Sequence, residues 1–228
     1  MKHLPYDIHP NLNRFHYYET LWKIKALDLL DSIELHSKNP TLLDYGCGRG
    51  ELLKMASNKG FKVFGLDPDE ECVMRAGEFG TVMKFSPPVM PEEIREFTFD
   101  VVACLHVLEH VENPIETLLA LKKLSSQYLL LAVPNLRTLR NLSKRTVTIE
   151  KVNEGHLQSW DHETFLNLAV RHAGLTHLGW SHDATILPFF SQTIHKIFGN
   201  KATIKAETTI FRHLFPFHCH SIIGLFQI

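Results

Sequence analysis

The sequence lacks net charge, closely spaced cysteines and long apolar runs. Its 24 lysines and arginines against 25 aspartates and glutamates give a formal net charge of -1, so no overall positive field attracts nucleic acid or an anionic surface. The four cysteines have no CxxC spacing, and we expect them to be reduced thiols. No uncharged apolar run approaches the roughly 20 residues of a membrane helix, and residues 1–7 show no signal-peptide core. We therefore expect a cytoplasmic protein without a membrane span and without a nucleic-acid partner.

Two local features depart from this average composition. The first is a basic cluster between residues 137 and 151, and such charge runs are most often solvated faces. The second is the content of 15 histidines, which are too scattered for a metal-binding tract but can still meet in the folded chain. The basic residues are Arg137, Arg140, Lys144, Arg145 and Lys151.

Helical and strand patterns alternate along most of the chain. Apolar residues at helical spacing predict an amphipathic helix over residues 17–35, which Asn39-Pro40 ends. The alternation with short connections predicts right-handed crossovers and a largely parallel sheet covered by helices on both faces. The predicted strands are 41–44, 62–67, 81–85, 99–105, 128–133, 175–181 and 221–228, and the further helices are 51–60, 68–76, 114–124 and 162–173.

A glycine loop follows the first predicted strand. Residues 44–50 read Asp-Tyr-Gly-Cys-Gly-Arg-Gly, at the strand end where open α/β sheets bind ligands. Glycine permits positive φ and close approach of the backbone to a ligand. The spacing is G-x-G-x-G rather than the G-x-G-x-x-G of dinucleotide sites, and Glu51 stands where phosphate loops have lysine. Asp44 before the glycines would repel a pyrophosphate but attract the ammonium and sulfonium groups of S-adenosylmethionine.

Asp67 ends the second predicted strand, seventeen positions after Gly50. Its carboxylate is expected beside the glycine loop, where it can accept hydrogen bonds from the two ribose hydroxyls of a nucleoside. An aspartate before Pro68 is also a good helix N-cap. Because Asp67 comes at this distance from the Asp44 loop, we favour the ligand-binding interpretation.

Four segments carry a resemblance to a known family. Residues 42–50 (LLDYGCGRG), 65–69 (GLDPD), 99–114 (FDVVACLHVLEHVENP) and 133–135 (VPN) occur in this order. They resemble the class I S-adenosylmethionine-dependent methyltransferases, and most closely the subgroup with a V-L-E-H-V segment after strand four. Residues 155–175 are similar to a later helix of that subgroup, so the resemblance spans about residues 42–180.

The resemblance implies a Rossmann-like three-layer sandwich with a mostly parallel seven-stranded sheet and an antiparallel last strand. It also implies that Gly46, Cys47 and Gly48 wrap the methionyl part of the cofactor and that Asp67 holds the ribose. Many members carry an acid after strand three, where this chain has Ser86-Pro87-Pro88. The expected contacts of S-adenosylmethionine are Asp44, Gly46, Cys47, Gly48, Gly50, Asp67, Pro68, Phe85, Ser86, Leu105 and His106, with Pro68, Phe85 and Ser86 around the adenine.

We expect a single domain over residues 1–228. Residues 1–40 form an N-terminal helical segment, 41–183 the cofactor-binding core and 217–228 the last strand. Residues 184–216 are an aromatic, partly helical insertion that either caps the active site or serves as structural padding. The sequence leaves both interpretations open.

Methyl transfer from a sulfonium is an in-line displacement, so much of the catalysis is alignment of donor and acceptor. An oxygen nucleophile usually also requires a general base, for which histidine is suited near neutral pH. His106, after the fourth strand, and His156, after the long fifth-strand connection, are the catalytic candidates. His110 recurs in members of differing specificity and is expected to be structural.

A metal site is a further possibility, although no metal is our expectation. Quinone-pathway and small-RNA 3′-end methyltransferases of the superfamily carry E-x-x-E-H at the matching place and use it for a divalent cation. This chain has His106 in place of the first glutamate, keeps Glu109 and His110, and offers His156 as a fourth ligand.

The sequence supports methyl transfer to a small-molecule, glycan or lipid-precursor acceptor, with oxygen as the expected target atom. Two alternatives stay open. The basic cluster allows an RNA or protein methyltransferase, although near-neutral charge counts against it. A non-catalytic module that binds S-adenosylmethionine is the second, since function does not follow from fold.

Overall fold

The computed structural model describes residues 14–87, 91–144 and 153–228. Seven strands form one sheet in the order β3-β2-β1-β4-β5-β7-β6. The first five pair in parallel, whereas β7 runs antiparallel to both of its neighbours. The strands are β1 (Thr41–Tyr45), β2 (Lys62–Asp67), β3 (Thr81–Lys84), β4 (Phe99–Leu105), β5 (Ser125–Pro134), β6 (Thr176–Ser181) and β7 (Ser221–Gln227). The predicted fold class, a mostly parallel sheet with an antiparallel last strand, is confirmed.

Helices cover both faces of this sheet. Asn167–His172 continues the α-helix His162–Leu166 as a π-helix, and Ala206–Phe211 joins the helix Pro188–Lys205 to Arg212–Leu214 in the same form. Single 3-10 turns are found at Leu30–Ser32, Leu108–His110 and Pro216–His218. The α-helices are α1 (Arg14–Leu29), α2 (Glu51–Asn58), α3 (Glu70–Ala76), α4 (Glu92–Arg95), α5 (Pro114–Leu124), α6 (Leu139–Leu142), α7 (His162–Leu166), α8 (Pro188–Lys205) and α9 (Arg212–Leu214).

The core consists of two apolar layers, one on each face of the sheet. Neighbouring residues of a strand belong to opposite layers, as Leu42 and Leu43 of β1 do, because successive side chains point to opposite faces. The central strand β4 is buried along nearly its whole length. This burial explains why its sequence is a continuous apolar run rather than an alternating one.

Two of the predicted helix boundaries that differ from the structure have a clear physical cause. The first helix ends at Leu29 instead of residue 35, and after one 3-10 turn Ile33 is already extended (φ -124°, ψ 158°). The helix after β2 begins at Glu70 rather than at Pro68, because Asp69 is its N-cap and accepts a hydrogen bond from the Cys72 N–H. Both errors concern helix ends, where capping residues decide the boundary.

The segment 184–216 packs against the N-terminal helix. Tyr17, Tyr18 and Leu21 of α1 share a buried cluster with Ala184 and Ile204. The segment bends at Gly199, which has a φ of 76° and interrupts the helical conformation of α8. Among the described residues, no helix combines the length and the apolar character that crossing a bilayer requires.

Candidate active site

The glycine loop lies at the carboxyl ends of β1 and β2. The backbone N–H groups of Gly46 and Cys47 both donate to the carbonyl oxygen of Leu66, at 2.8 and 3.0 Å. Gly46, Gly48 and Gly50 have φ values of 79°, 53° and 83°, a region that side chains with a Cβ rarely adopt. The loop is therefore fastened to the end of β2, next to Asp67.

The three glycines of the loop face different surroundings. A Cβ at Gly46 would come within 2.4 Å of the Val107 side chain, and one at Gly50 within 2.8 Å of the Ala76 backbone. A Cβ at Gly48 would meet no heavy atom of the described residues within 4 Å, apart from its chain neighbours. Gly46 and Gly50 thus permit close internal packing, whereas Gly48 borders open space. The N–H of Gly50 also donates a hydrogen bond to the carbonyl oxygen of Cys47, so it is not available to a ligand.

Asp67 is buried and holds two backbone groups. One carboxylate oxygen accepts from the Gly48 N–H at 2.8 Å and the other from the Asp69 N–H at 3.0 Å. The helix N-cap is Asp69, not Asp67. Asp67 is therefore free of a capping role and links the glycine loop to the turn after β2.

Asp44 is a buried carboxyl, only 3% exposed. Burial is the largest influence on its pKa and raises it from 3.8 to about 7, while Lys23 acts in the opposite direction and Asp67 and Glu51 add to the rise. Lys23 also donates to Glu51 at 2.9 Å. Three carboxyl groups thus lie at the loop with two basic groups, Lys23 and the loop's own Arg49, and this excess of acids favours a cationic ligand.

Of the remaining residues expected to contact the cofactor, three have buried side chains and two have exposed ones. The Cys47 thiol is buried among core residues, and this burial raises its pKa, so only its backbone faces the loop surface. The ring of Phe85 is buried against Tyr45, with centroids 5.0 Å apart, and Leu105 is also buried. Pro68 and Ser86 are exposed and are the accessible members of the expected adenine side.

His106 occupies an unusual position at the end of β4. It is the one non-glycine residue of the described chain with positive φ, 57°. Its Nδ1 lies 3.3 Å from the Glu109 carboxylate, and its Nε2 lies 3.0 Å from the Ser221 hydroxyl. The ring of Trp22 packs on the imidazole at a centroid distance of 4.5 Å. His106 is therefore oriented from three sides, by residues of α1, the turn after β4, and β7.

Glu109, His110 and His156 come together beside His106. Each offers one ligand atom, and these atoms lie within 4.8 Å of one another. His110 Nδ1 donates to the Gly155 carbonyl at 2.7 Å, which leaves Nε2 for a ligand. Glu109 is 1% exposed, and its Oε2 has no hydrogen-bond partner among the described residues. A carboxylate with two imidazoles is a donor set that suits a divalent transition metal, so the residues present fit such an ion. His106 does not belong to this group of three.

A cavity of about 270 Å³ lies at the carboxyl end of β5. Its wall includes His220. The side chain of His220 is exposed to solvent, although protein atoms lie close to it on most sides. This environment lowers the pKa of His220, through burial first and through His106 and Arg140 as further influences. His220 precedes Ser221, the hydrogen-bond partner of His106, so the cavity adjoins the catalytic candidate. Its lining residues are Pro134, Asn135, Thr138, Arg140, Asn141, Lys144, Ala184, Ile186, His218 and His220.

The basic cluster of the sequence contributes to this cavity only in part. Arg140 and Lys144 line it, whereas Arg145 and Lys151 lie outside the described residues. Asn135, from the VPN segment, donates to the carbonyls of Phe217 and Cys219 at 3.0 and 2.8 Å. That side chain holds the connection before β7 in place and so shapes the cavity wall.

Four site residues escape sequence reasoning. Trp22, Lys23, His220 and Ser221 stand in segments without a recognisable motif, and Ser221 lies 115 positions from His106. Trp22 and Lys23 read as ordinary members of an amphipathic helix. Only the packing of α1 across β6 and β7 toward α2 brings them to the glycine loop.

The family is decided by comparison with known proteins. Residues 15–178 match the family model described as a methyltransferase domain, which is more than half of the chain. The chain belongs to this methyltransferase family. Together with the sheet order, the match makes it a class I methyltransferase that depends on S-adenosylmethionine, as its motifs predict. All four cysteines of this methyltransferase are free thiols.

Curated relatives match the methyltransferase over a limited stretch. The ubiquinone biosynthesis O-methyltransferase of Vibrio cholerae is 35% identical over 89 residues, which cover 36% of this chain and 36% of the relative. The protein of the same description from Aliivibrio fischeri is 33% identical over 89 residues, or 36% of this chain and 38% of the relative. The chain thus matches little more than a third of the length of these relatives.

Solved structures agree with the methyltransferase in fold. Magnesium protoporphyrin IX methyltransferase from Synechocystis with bound SAH has a TM-score of 0.59 at 18% identity, covering 94% of this chain and 84% of that one. A putative methyltransferase in complex with the Trm112 activator of Haloferax volcanii has a TM-score of 0.64 at 16% identity, covering 92% and 90%. At these identities the likeness concerns the fold.

Proposed function

We propose that this methyltransferase transfers the methyl group of S-adenosylmethionine to an oxygen atom of a small-molecule acceptor. The observation that carries the proposal is the Asp67 carboxylate, held at the carboxyl end of β2 by the N–H groups of Gly48 and Asp69. Each carboxylate oxygen keeps a lone pair for a ribose hydroxyl. The open space beside Gly48 receives the methionyl part of the cofactor.

The charge around the loop suits this cofactor. S-adenosylmethionine carries a sulfonium and an ammonium group, and the buried Asp44 carboxyl lies beneath the loop with Asp67 and Glu51 near it. A cation bound there favours the ionised form of Asp44. The same three carboxyl groups disfavour a pyrophosphate, which separates this site from a dinucleotide site.

His106 is the proposed general base. When the neutral imidazole carries its proton on Nδ1, it donates to Glu109, and the Nε2 lone pair accepts from Ser221. The His106 side chain is 19% exposed, so an acceptor hydroxyl that replaces the Ser221 hydroxyl at Nε2 can pass its proton to this lone pair. The oxygen then attacks the methyl carbon, the carbon–sulfur bond breaks, and S-adenosylhomocysteine leaves. His156, whose pKa is lowered first by burial, is the second candidate.

The cavity beside His220 is the proposed acceptor site. Arg140 and Lys144 are exposed on its wall, and no carboxylate of the described residues lines it. Ala184, Ile186 and Pro134 supply apolar surface. These features favour an acceptor with a ring or apolar body and an anionic group, such as a phenolic acid. The resemblance to O-methyltransferases of ubiquinone biosynthesis supports an oxygen nucleophile.

A divalent cation is a proposed addition to this site. Glu109 Oε2, His110 Nε2 and His156 would hold it, and the unpartnered buried oxygen of Glu109 is the observation that favours it. Bound there, the ion would supply Lewis-acid polarisation of an acceptor oxygen. His106 remains oriented by the other oxygen of Glu109.

The test joins binding with turnover. S-adenosylmethionine is titrated calorimetrically into the purified full chain, and release of S-adenosylhomocysteine is followed with hydroxybenzoic acids and with their carboxamides, which keep the shape but lose the charge. We expect cofactor binding in the micromolar range and faster turnover with the acids. Turnover with RNA or protein alone would establish the macromolecular alternative instead. Binding without turnover on any of these acceptors would favour the non-catalytic module, and absence of binding by the folded protein would overturn the proposal.

A further inference from the structure

Exposed apolar side chains are concentrated in one part of the molecule. Eight of the sixteen exposed large hydrophobic residues of the described chain lie between residues 189 and 217. Phe189 is 74% exposed and Phe198 is 68% exposed, values unusual for phenylalanine in a folded domain. Exposed apolar side chains concentrated in one segment in this way mark an interaction site. The eight residues, here called the apolar face, are Phe189, Phe190, Ile197, Phe198, Ile210, Leu214, Phe215 and Phe217.

Packing of the hydrophobic core does not explain the apolar residues in the first half of α8. Before the bend at Gly199, Ser191 is its one buried residue. Packing against α1 is instead made after the bend, where Ile204 joins the buried cluster. This half of α8 therefore exposes Phe189, Phe190 and Phe198 and adds no hydrophobic side chain to the buried core.

The same segment is strongly cationic. Lys196, Lys201 and Lys205 are exposed, and none of them pairs with a carboxylate of the described residues. Between residues 188 and 218 the sequence has one acidic residue, Glu207, and it is buried with its carboxylate accepting from Tyr18. The surface of the segment thus carries positive charge without exposed negative charge, although the whole chain has a net charge of only -1.

We propose that the apolar face docks this methyltransferase on an anionic lipid bilayer. Exposed phenylalanines and lysines in one segment suit the membrane interface, where rings enter among the acyl chains and ammonium groups reach the phosphates. A two-fold contact with a second copy would set lysines against lysines, so the charges favour a negatively charged partner. Ala184 and Ile186, just before α8, line the cavity next to His220, which brings that cavity close to the docked surface.

The test uses vesicle flotation with the purified full chain at low ionic strength. Vesicles of phosphatidylcholine are compared with vesicles that also contain phosphatidylglycerol. We expect binding to the anionic vesicles and at least tenfold weaker binding for the double variant Phe189→Ser/Phe198→Ser. Lys196→Gln/Lys201→Gln is expected to remove the preference for phosphatidylglycerol. The matched control Met74→Ser/Phe97→Ser changes two residues that are also exposed, 66% and 57%, but lie outside this segment, and it should bind as the wild type does.

The outcomes separate lipid from other occupants. All three double variants change exposed side chains, so thermal unfolding midpoints close to the wild type are the folding check. Absence of flotation with anionic vesicles would overturn the proposal. So would equal flotation of wild type and Phe189→Ser/Phe198→Ser, or a wild-type dimer in sedimentation without vesicles that this variant abolishes.

Discussion

The carboxylate of Asp67 accepts a 2.8 Å hydrogen bond from the backbone N–H of Gly48, nineteen positions earlier in the chain. One side chain thereby joins the end of β2 to the glycine loop after β1. The other carboxylate oxygen accepts from the Asp69 N–H, so the orientation of the group is set from both ends. Because the carboxylate is fixed before a ligand arrives, binding of ribose hydroxyls requires little reorganisation.

Replacement of Asp67 tests this arrangement. Asp67→Ala removes the proposed ribose contacts and also releases the Gly48 N–H, so we expect at least about tenfold weaker binding of S-adenosylmethionine, or ~1.4 kcal/mol. Calorimetric titration measures the effect. Asp69→Ala is the control, since it removes the helix N-cap and should cost about 1 kcal/mol of stability with no loss of affinity. Equal affinity of wild type and Asp67→Ala would show that the ribose lies elsewhere.

The glycines of the loop give a second prediction. Gly48→Ala places a methyl group in the open space and adds backbone strain of roughly 1 kcal/mol at φ 53°, so we expect a folded protein that binds S-adenosylmethionine poorly. Gly46→Ala drives a Cβ to within 2.4 Å of Val107, and we expect it to lower the unfolding free energy of the protein without ligand. Denaturant unfolding and calorimetry together separate the two. Normal cofactor affinity in a folded Gly48→Ala variant would place the cofactor away from this glycine.

Much of the sheet could be predicted from the sequence. The predicted bounds of β2 and β4 are those of the structure, because Gly60 and Pro68 bracket β2 and a change of polarity delimits β4. The end of α1 could not be predicted, because apolar residues continue past Leu29. Ile33 and Leu35 pack on the core from a segment that is no longer helical. The spacing of the glycines also does not show how they differ in the folded chain. Gly50 packs closely against Ala76, whereas Gly48 borders open space.

The catalytic side of the site was less accessible to sequence reasoning. The motif after β4 indicates His106, Glu109 and His110, but the orientation of His106 depends on Trp22 and Ser221. Contacts of that kind join segments far apart in the chain, and no local pattern encodes them. The proposed acceptor cavity depends in the same way on His220 and Arg140, which line it from distant segments.

Asp44 predicts a pH dependence of stability. Its folded-state pKa of about 7 lies above the ordinary 3.8, so the folded state binds the proton more tightly and wild-type stability falls as the pH rises through this window. Asp44→Asn cannot ionise. We expect its stability relative to the wild type to grow between about pH 4 and pH 7 and to level off above, on the order of a few kcal/mol. Urea unfolding at a series of pH values measures the difference, and a difference independent of pH would contradict the assignment.

Cofactor binding should be coupled to the same proton. Because the positive groups of S-adenosylmethionine favour the ionised Asp44 carboxyl, binding near pH 6 should release a proton, and binding above pH 8 should not. Calorimetric titration in buffers of different ionisation enthalpy counts the protons. Asp44→Asn should release none, and release that persists in this variant would assign the proton to another group.

The cluster of Glu109, His110 and His156 predicts binding of a divalent cation such as Mn²⁺. Calorimetric titration of the chelator-treated protein with MnCl₂ should give one site, and His156→Ala should abolish it because one of three ligands is lost. His106→Asn serves as the control, since His106 lies outside the cluster and its variant should bind the ion. An absence of binding by the wild type would leave His110 and His156 as structural residues.

His106 gives the most direct test of the chemistry. Asparagine tolerates the left-handed backbone that His106 adopts (φ 57°), so His106→Asn should fold normally and, with the other expected contacts intact, still bind S-adenosylmethionine. Loss of the base should lower kcat by about 10²- to 10⁴-fold. His106→Ala combines the same loss with backbone strain of roughly 1 kcal/mol, so a variant pair with equal kcat but unequal stability would separate the two roles of this residue. If His106→Asn keeps the wild-type kcat while His156→Asn does not, the base is His156, and the contacts of His106 with Glu109 and Ser221 are structural.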